Sequence, residues 1–536
     1  MKALTAAEMR EVDRLTTERY GIPSLQLMEN AGRKATNAIL RVVAGRDRVC
    51  VCILCGKGNN GGDGFVVARY LRESKVSTLV LLFGKREEVR GDAAVNLSRW
   101  LEAGEKVETI VDGGDWERNW PEVCACNVIV DAMLGTGLRG VASGVIARAI
   151  SDINQFSGKA TAPRPALILA VDTPSGLPSD GESTDGPVLF AHRTVSFTAP
   201  KIGQLLSPNA EACGALEVVS IGSPFALIEE VGKGTLRCSG VDGFVSLPLV
   251  RAANSHKGSF GHVLIVAGSL GKSGAAILAG YASLRGGAGL TTVASSDVIQ
   301  PTIASAHSEY MTEPLACTDL GTVSSSNLSS GRLVEIFKGK TVLALGPGLG
   351  MHSQTQTVIR QLVHESTIPI VLDADGLNAF VGKAELFKER KSAFLVITPH
   401  PGEMARLLDT TNAAVQSDRL KTAMEGARRW NCYVILKGFH TLIVAPDGRT
   451  WVNTSGGPAL AKGGSGDALT GLLAALTAQF GTHDWPRVLA LGVFLHGVAA
   501  DMLSLKEEPS GVLAREVARW IPRAREWLLQ EIQFGG

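Results

Sequence analysis

The sequence lacks a surplus of charge of either sign. Lys and Arg total 53 and Asp and Glu 52, a net charge of +1. A chain-wide electrostatic grip on nucleic acid or on an anionic membrane is therefore not supported. It also lacks any run of about 18 consecutive apolar residues, so a membrane-spanning helix is not expected. The opening Met1-Lys2-Ala3-Leu4-Thr5-Ala6-Ala7-Glu8-Met9-Arg10 meets charge too early for a secretory signal. No repeat of about 20–50 residues is visible, which excludes a solenoid. Cysteine is present as an odd nine. Cys50, Cys52 and Cys55 lie close together, but no second ligand pair or matching histidines accompany them. Buried thiols in an apolar strand are the better reading, and a cytoplasmic, reduced protein is expected.

What is present is apolar material and glycine. Of 536 residues 45% are hydrophobic, enough for several buried cores. Glycine makes up 61 of them, well above the usual ~7%, without the three-residue period of collagen. The surplus is clustered, as loops need where backbone approaches a ligand closely.

Short β-rich runs alternate with helical patterns, the signature of parallel α/β units. Strands are expected at Val49–Leu54, Ser77–Phe83, Asn127–Asp131, Ala166–Asp172 and Thr194–Phe197 in the first half. In the second they fall at His262–Ala267, Leu290–Ala294, Val342–Leu345, Ile368–Leu372, Ala393–Ile397 and Tyr433–Leu436. Buried helices are expected at Ala468–Gln479 and Val488–Met502. Composition shifts around Ile221–Asp242, so two α/β domains are expected, 1–225 and 235–536.

In the first half, a strand runs into Gly56-Lys57-Gly58-Asn59-Asn60-Gly61-Gly62-Asp63-Gly64, with a helix expected from about Phe65. Such a turn presents N–H groups to a phosphate. It is not a plain dinucleotide fingerprint, and its Asn and Asp side chains suit polar ligand groups or an ion. Two more strand tips carry Asp131 before Gly135-Thr136-Gly137-Leu138-Arg139-Gly140, and Asp172 before Thr173-Pro174-Ser175-Gly176. Open parallel sheets bind ligands at these ends, although Asp131 and Asp172 would also serve simply as turn caps.

These motifs, with Leu27-Met28-Glu29-Asn30-Ala31-Gly32, resemble the NAD(P)H-hydrate epimerase family. The resemblance implies a Rossmann-like domain binding hydrated NADH or NADPH through Asn59, Asn60, Gly61, Gly62, Asp63, Gly135, Thr136, Gly137, Leu138, Arg139, Gly140 and Asp172. It implies a potassium ion held by Asn60, Asp131 and Ser175, an all-oxygen set that suits a hard cation. The implied reaction interconverts the epimers at C6 of the hydrated ring, with Asp172 the candidate for the proton.

In the second half, Gly463-Gly464-Ser465-Gly466-Asp467 opens an apolar helix. Its N–H groups can converge on a phosphoryl group, with Asp467 beside them to take a proton from an attacking hydroxyl. No Gly-Lys-Ser/Thr closes the loop, so it is not a Walker motif. The pattern resembles the ribokinase-like superfamily. More specific are His256-Lys257-Gly258-Ser259-Phe260-Gly261-His262, Gly346-Pro347-Gly348-Leu349-Gly350, Asp373-Ala374-Asp375-Gly376, Thr398-Pro399-His400-Pro401-Gly402-Glu403 and Lys437-Gly438-Phe439-His440-Thr441. Together they are similar to the ADP- or ATP-dependent NAD(P)H-hydrate dehydratases.

That resemblance implies nucleotide contacts from Lys437, Gly438, Phe439, His440, Thr441, Gly463, Gly464, Ser465 and Gly466. It implies substrate contacts from Ala275, Gly348, His400, Pro401, Gly402, Glu403, Met404, Ala405, Arg406 and Asp467. Magnesium would accompany ADP, or ATP, on its phosphates. His400 alone reads better as a satisfied loop histidine and becomes a ligand contact only within Pro399-His400-Pro401-Gly402-Glu403, while Asp373 and Asp375 either orient substrate or organise their turn. The expectation is a bifunctional repair enzyme. It would be cytoplasmic and homo-oligomeric, with small-molecule partners and neither nucleic acid nor membrane. The alternative is a kinase for a small alcohol or vitamin precursor fused to a ligand-sensing domain, which a stable phosphorylated product would reveal.

Overall fold

The computed structural model describes the chain except for residues 47, 139, 158–165, 183, 482–483 and 535–536. Arg139 of the expected site thus lies outside the described residues. The chain divides into two compact units, Met1–Gly234 and Thr235–Gly536.

The first unit is built on seven strands: β1 (Cys50–Cys55), β2 (Ser77–Phe83), β3 (Glu108–Ile110), β4 (Val128–Ala132), β5 (Leu167–Val171), β6 (Arg193–Phe197) and β7 (Ala215–Val219). They pair in the order β3-β2-β1-β4-β5-β6-β7, all parallel. Strand alternation sends Val51 and Ile53 into one apolar layer with Phe65 and Leu97, and Cys52 and Leu54 into another with Trp116 and Ile150. Both sheet faces are therefore covered, as parallel sheets require. The order of connection reverses between β1 and β4, so the chain segments leaving those strands part and open a crevice. The unit runs on to Gly234 because Leu227 and Ile228 of helix Phe225–Val231 pack against Met9, Val12 and Leu15 of helix Ala6–Tyr20.

The second unit holds β8 (Leu236–Cys238), β9 (His262–Val266), β10 (Leu290–Ser296), β11 (Met311–Leu315), β12 (Val342–Leu345), β13 (Ile370–Leu372), β14 (Leu395–Ile397), β15 (Tyr433–Leu436), β16 (Thr441–Val444) and β17 (Thr450–Asn453). Their order is β11-β10-β9-β12-β13-β14-β15-β16-β17-β8. The sheet is parallel from β11 to β15, antiparallel through β16 and β17, and closed by β8 parallel to β17. Helix Ser465–Phe480 crosses helix Ser273–Gly286 so closely that a Cβ on Gly471 would meet the Ala279 carbonyl. Among the described residues one helix, Trp485–Ser504, is long and apolar enough to cross a membrane by length and composition. Its apolar window is 78% buried inside the structure, where Leu489, Val493 and Phe494 join the core.

Candidate active sites

In the first unit the helix after β1 starts at Asn59, not near Phe65, so Asn59–Gly64 form its opening turns. Close packing is the reason: a Cβ on Gly61 would fall 1.9 Å from the Gly56 carbonyl oxygen. Only glycine lets the turn lie this close to the strand end. The turn carries Asn60 to the β4 tip, where its Nδ2 donates to the Leu134 carbonyl at 3.0 Å. Its Oδ1 is buried without a hydrogen-bond partner.

Asp131 is fully buried at that tip. It accepts from the Ser175 N–H at 2.7 Å, the Ser175 hydroxyl at 2.5 Å and the Met133 N–H at 3.2 Å. Burial pushes its carboxyl up to about 6 despite these hydrogen bonds. Asn60 Nδ2 and Ser175 Oγ both reach the Leu134 carbonyl, so the Asp131–Ser175 pair and an unpaired amide oxygen flank the same residue at this strand tip. That donor chemistry fits a hard monovalent cation.

Asp172 follows β5 with φ at 61°, a region that an aspartate enters only under constraint. The constraint is visible. Its carboxylate accepts from Lys201 Nζ and, at 3.1 Å, from the Phe197 N–H; its carbonyl accepts from Gln204 Nε2 at 2.6 Å. Lys201 is wholly enclosed and also donates to Ser196 Oγ and the Phe197 carbonyl.

A cavity of about 610 Å³ opens above this floor. Asn59, Asn60, Asp63, Gly135, Thr136, Gly137, Leu138 and Asp172 line it. Gly61 and Gly62 pack behind this lining, against Gly56 and Met28, and Gly140 is exposed. Among the lining residues outside the predicted site are two charged ones that face Asp172, Asp13 and Lys201. Asp13 sits on an amphipathic helix among Arg10, Glu11 and Arg14, where an acid looks merely solvated. Burial and the neighbouring Asp172 push its carboxyl up to about 6, against the pull of Lys201. Asp63 is driven well above the carboxylate range by burial, with Asp172 and Asp13 adding to the effect.

In the second unit, Asp467 occupies the first turn of helix Ser465–Phe480, which Gly464 enters at φ 92°. A side chain on Gly464 would strike Leu278. Ser465 Oγ is buried and has no partner. Burial pushes the Asp467 carboxyl up to about 6, Asp373 adds to this, and Lys437 opposes it. Lys437 Nζ stands 2.8 Å from Asp373 Oδ1, while Thr470 Oγ1 donates to Asp373 Oδ2 at 2.8 Å. Burial works against the Lys437 charge, yet Asp373 and Glu403 hold its ammonium above the ordinary value. Gly466 passes so close that a Cβ there would lie 3.4 Å from Lys437 Nζ.

Ala275 and Gly348 are neighbours, since a Cβ on Gly348 would lie 3.0 Å from that of Ala275. His400 caps helix Pro401–Leu408, its Nδ1 accepting from the Gly402 N–H at 3.0 Å, while Glu403 Oε2 accepts from the His400 N–H at 2.8 Å. His400 is therefore a cap with an exposed ring. Met404 and Ala405 face the core, whereas Arg406 reaches Asn378 Oδ1 at 2.9 Å. The Lys437–Thr441 turn is clamped by Arg419, which donates to the carbonyls of Leu436, Lys437 and Phe439. The Phe439 and His440 rings stack at 4.1 Å. Among the described residues no group of three or more His, Cys, Asp or Glu is placed to hold a metal ion.

Two family models match the chain. One described as YjeF-related protein N-terminus covers residues 24–203, and one described as NAD(P)H-hydrate dehydratase covers 263–523. The bifunctional NAD(P)H-hydrate repair enzyme of Moorella thermoacetica is 38% identical over 535 residues, 99% of this chain and 98% of that one. The chain belongs to the bifunctional NAD(P)H-hydrate repair enzyme family. Its relative of the same description from Escherichia coli is 32% identical over 522 residues, 97% of this chain and 93% of the other. The crystal structure of the ADP/ATP-dependent NAD(P)H-hydrate dehydratase of Bacillus subtilis, co-crystallised with ATP and Mg²⁺, is 28% identical. It covers 55% of this chain and 98% of its own, with a TM-score of 0.47. Within this repair enzyme, Lys201 and Asp467 fall inside the matched spans; Asp13 precedes the first of them.

Proposed function

We propose that the first unit epimerises hydrated NADH and NADPH at C6. The second would dehydrate the S epimer, with ADP as phosphoryl donor, giving AMP and phosphate. Family membership carries the activity; the unpaired Asn60 Oδ1 and Ser465 Oγ, each beside a carboxylate pushed up to about 6, support the placement of the two sites.

In the epimerase cavity, Asn59, Asn60, Asp63 and the Gly135–Leu138 segment would bind the dinucleotide, continuing towards Gly140. Inversion at C6 requires the hydroxyl to leave with help from the ring nitrogen and return to the other face. Asp172, oriented by Lys201, takes or gives the proton of that hydroxyl. Asp13 and Asp63, whose carboxyls burial pushes upward, supply a second proton-holding pair across the same cavity. Potassium would be held by Asn60, Asp131 and Ser175 and would supply positive charge to the floor of the site. The oxygen donors described above fit it.

In the dehydratase, Asp467 takes the proton of the C6 hydroxyl as it attacks the terminal phosphoryl group. The N–H groups of Gly463–Gly466 and the ammonium of Lys437 receive the phosphoryl charge. The phosphorylated carbon then expels phosphate with loss of a ring proton, restoring the nicotinamide. Transfer converts hydroxide, a poor leaving group, into phosphate. Magnesium would arrive on the nucleotide phosphates and neutralise part of their charge. Ala275, Gly348 and the Pro401–Arg406 helix end, with the His400 ring, would line the substrate side. Phe439 and His440 would meet the base.

The test is recovery of the reduced-nicotinamide absorbance band from a mixed-epimer hydrate, with ADP or ATP and magnesium. Full nucleotide-dependent recovery, faster than spontaneous epimerisation allows, is the expected result. Recovery of one epimer's share alone would remove the epimerase, and a stable phosphorylated product would point to a small-molecule kinase.

A further inference from the structure

The cluster Cys50, Cys52 and Cys55 takes no part in either site, and the structure separates its members. Cys52 and Cys55 are fully buried on opposite faces of β1. Cys50 is only partly covered, and its partner is distant in sequence: the sulfurs of Cys50 and Cys126 lie 2.9 Å apart. Cys126 is buried, ending helix Gly113–Ala125 just before β4. The backbone holds the two together, because the Asn127 N–H donates to the Cys50 carbonyl at 2.9 Å and the Cys50 N–H to Asn127 Oδ1 at 2.8 Å. Hydrogen bonding from Cys126 lowers the Cys50 thiol, while burial and that same contact raise Cys126. A partly exposed thiol 2.9 Å from a sheltered one is the arrangement of an attacking and a resolving cysteine.

We propose that Cys50 and Cys126 form a reversible disulfide that staples the start of β1 to the start of β4. The co-reactant is a low-molecular-weight disulfide, RSSR. The Cys50 thiolate attacks one of its sulfurs, forming a mixed disulfide and releasing one thiolate. The Cys126 sulfur then displaces the second, its proton passing to that departing thiolate. Two cysteines are oxidised by two electrons and RSSR is reduced to two RSH. The staple lies at the opposite end of the strands from Asn60 and Asp131, so it acts on the persistence of the fold and leaves the cavity open. Closing a loop of about 75 residues restricts the unfolded chain strongly.

The folded, full-length protein is incubated with oxidised glutathione, and its free thiols are counted and its peptides mapped. The expected result is a loss of two of the nine thiols, a Cys50–Cys126 linked peptide, and an unfolding midpoint raised by about 3 °C or more. Dithiothreitol reverses all three, and epimerase activity stays within twofold. Cys50→Ser and Cys126→Ser abolish the link, whereas Cys124→Ser keeps it. Far-ultraviolet dichroism checks that each variant is folded. Retention of all nine thiols, a glutathione adduct persisting on Cys50, or a link to Cys52 or Cys124 overturns the proposal.

Discussion

Lys201, with none of its side chain exposed, donates its ammonium to the carboxylate of Asp172, which projects from a backbone at φ 61°. A buried charge and a strained backbone each cost free energy, and here each holds the other in place. This fixes the carboxylate where β5 meets the cavity. Asp172→Asn keeps the shape and an acceptor for Lys201 but removes the proton-handling group. Epimerisation is expected to fall by about 10²–10⁴-fold, with dehydration of the S epimer unchanged. Stopped-flow absorbance on R-enriched hydrate checks this; full epimerisation by the variant would refute the assigned role.

The carboxylates at the strand tips were legible in the sequence because each ends an apolar run and precedes glycines. Lys201 was not, since Ala199-Pro200-Lys201 shows no glycine, no acid and no periodic signal. Its partner is named only by folding β5 beside β6. The wholly apolar strands can be read for the same reason that the others cannot. Val342–Leu345 and Tyr433–Leu436 are apolar throughout, whereas Glu108–Ile110 and Leu236–Cys238 are three residues long and Met311–Leu315 contains a proline. Edge strands of this kind are defined by a neighbour, not by pattern. Glycine and asparagine disfavour helix locally, so the pattern alone puts the helix start near Phe65 and not at Asn59. Packing against Gly56 decides otherwise.

Asp13 carries a stability signature. Its carboxyl titrates at about 6 when folded and at about 3.9 when unfolded, so the fold holds the proton more tightly. The stability this confers is complete below about pH 4 and is lost as pH rises through about 6. Asp13→Asn resembles the neutral acid. It should match the wild type at pH 4 and exceed it by about 1–3 kcal/mol at pH 8. Urea unfolding of the first unit's transition at both pH values measures this. Its epimerase rate should fall if Asp13 carries a proton across the cavity.

Asn60 offers the unpaired oxygen of the proposed cation site. Asn60→Ala removes it while leaving Asp131 and Ser175 paired with each other. Potassium chloride should raise the wild-type unfolding midpoint above its value in tetramethylammonium chloride, since a ligand that binds only the folded state stabilises it. The variant should show no such difference. An equal rise in both proteins would mean that the ion acts elsewhere.

Asp467 is the acid whose environment matches its task. Asp373 is engaged on both oxygens, by Lys437 and Thr470, and so cannot serve as a free base. Asp467 titrates at about 6 and must be ionised to accept the hydroxyl proton. Single-turnover dehydration should therefore be flat above about pH 7 and fall about tenfold per unit below 6. Asp467→Asn should lose about 10²–10⁴-fold at every pH while epimerisation continues. Lys437 holds the Asp467 carboxyl down, so Lys437→Met should move the midpoint of the profile to higher pH as well as slowing phosphoryl transfer. The slowing alone would follow from any damage to the nucleotide site, including the stranded charge left on Asp373. The upward move requires Asp467 itself to be the titrating group, and a midpoint that stays in place would assign the base to another residue.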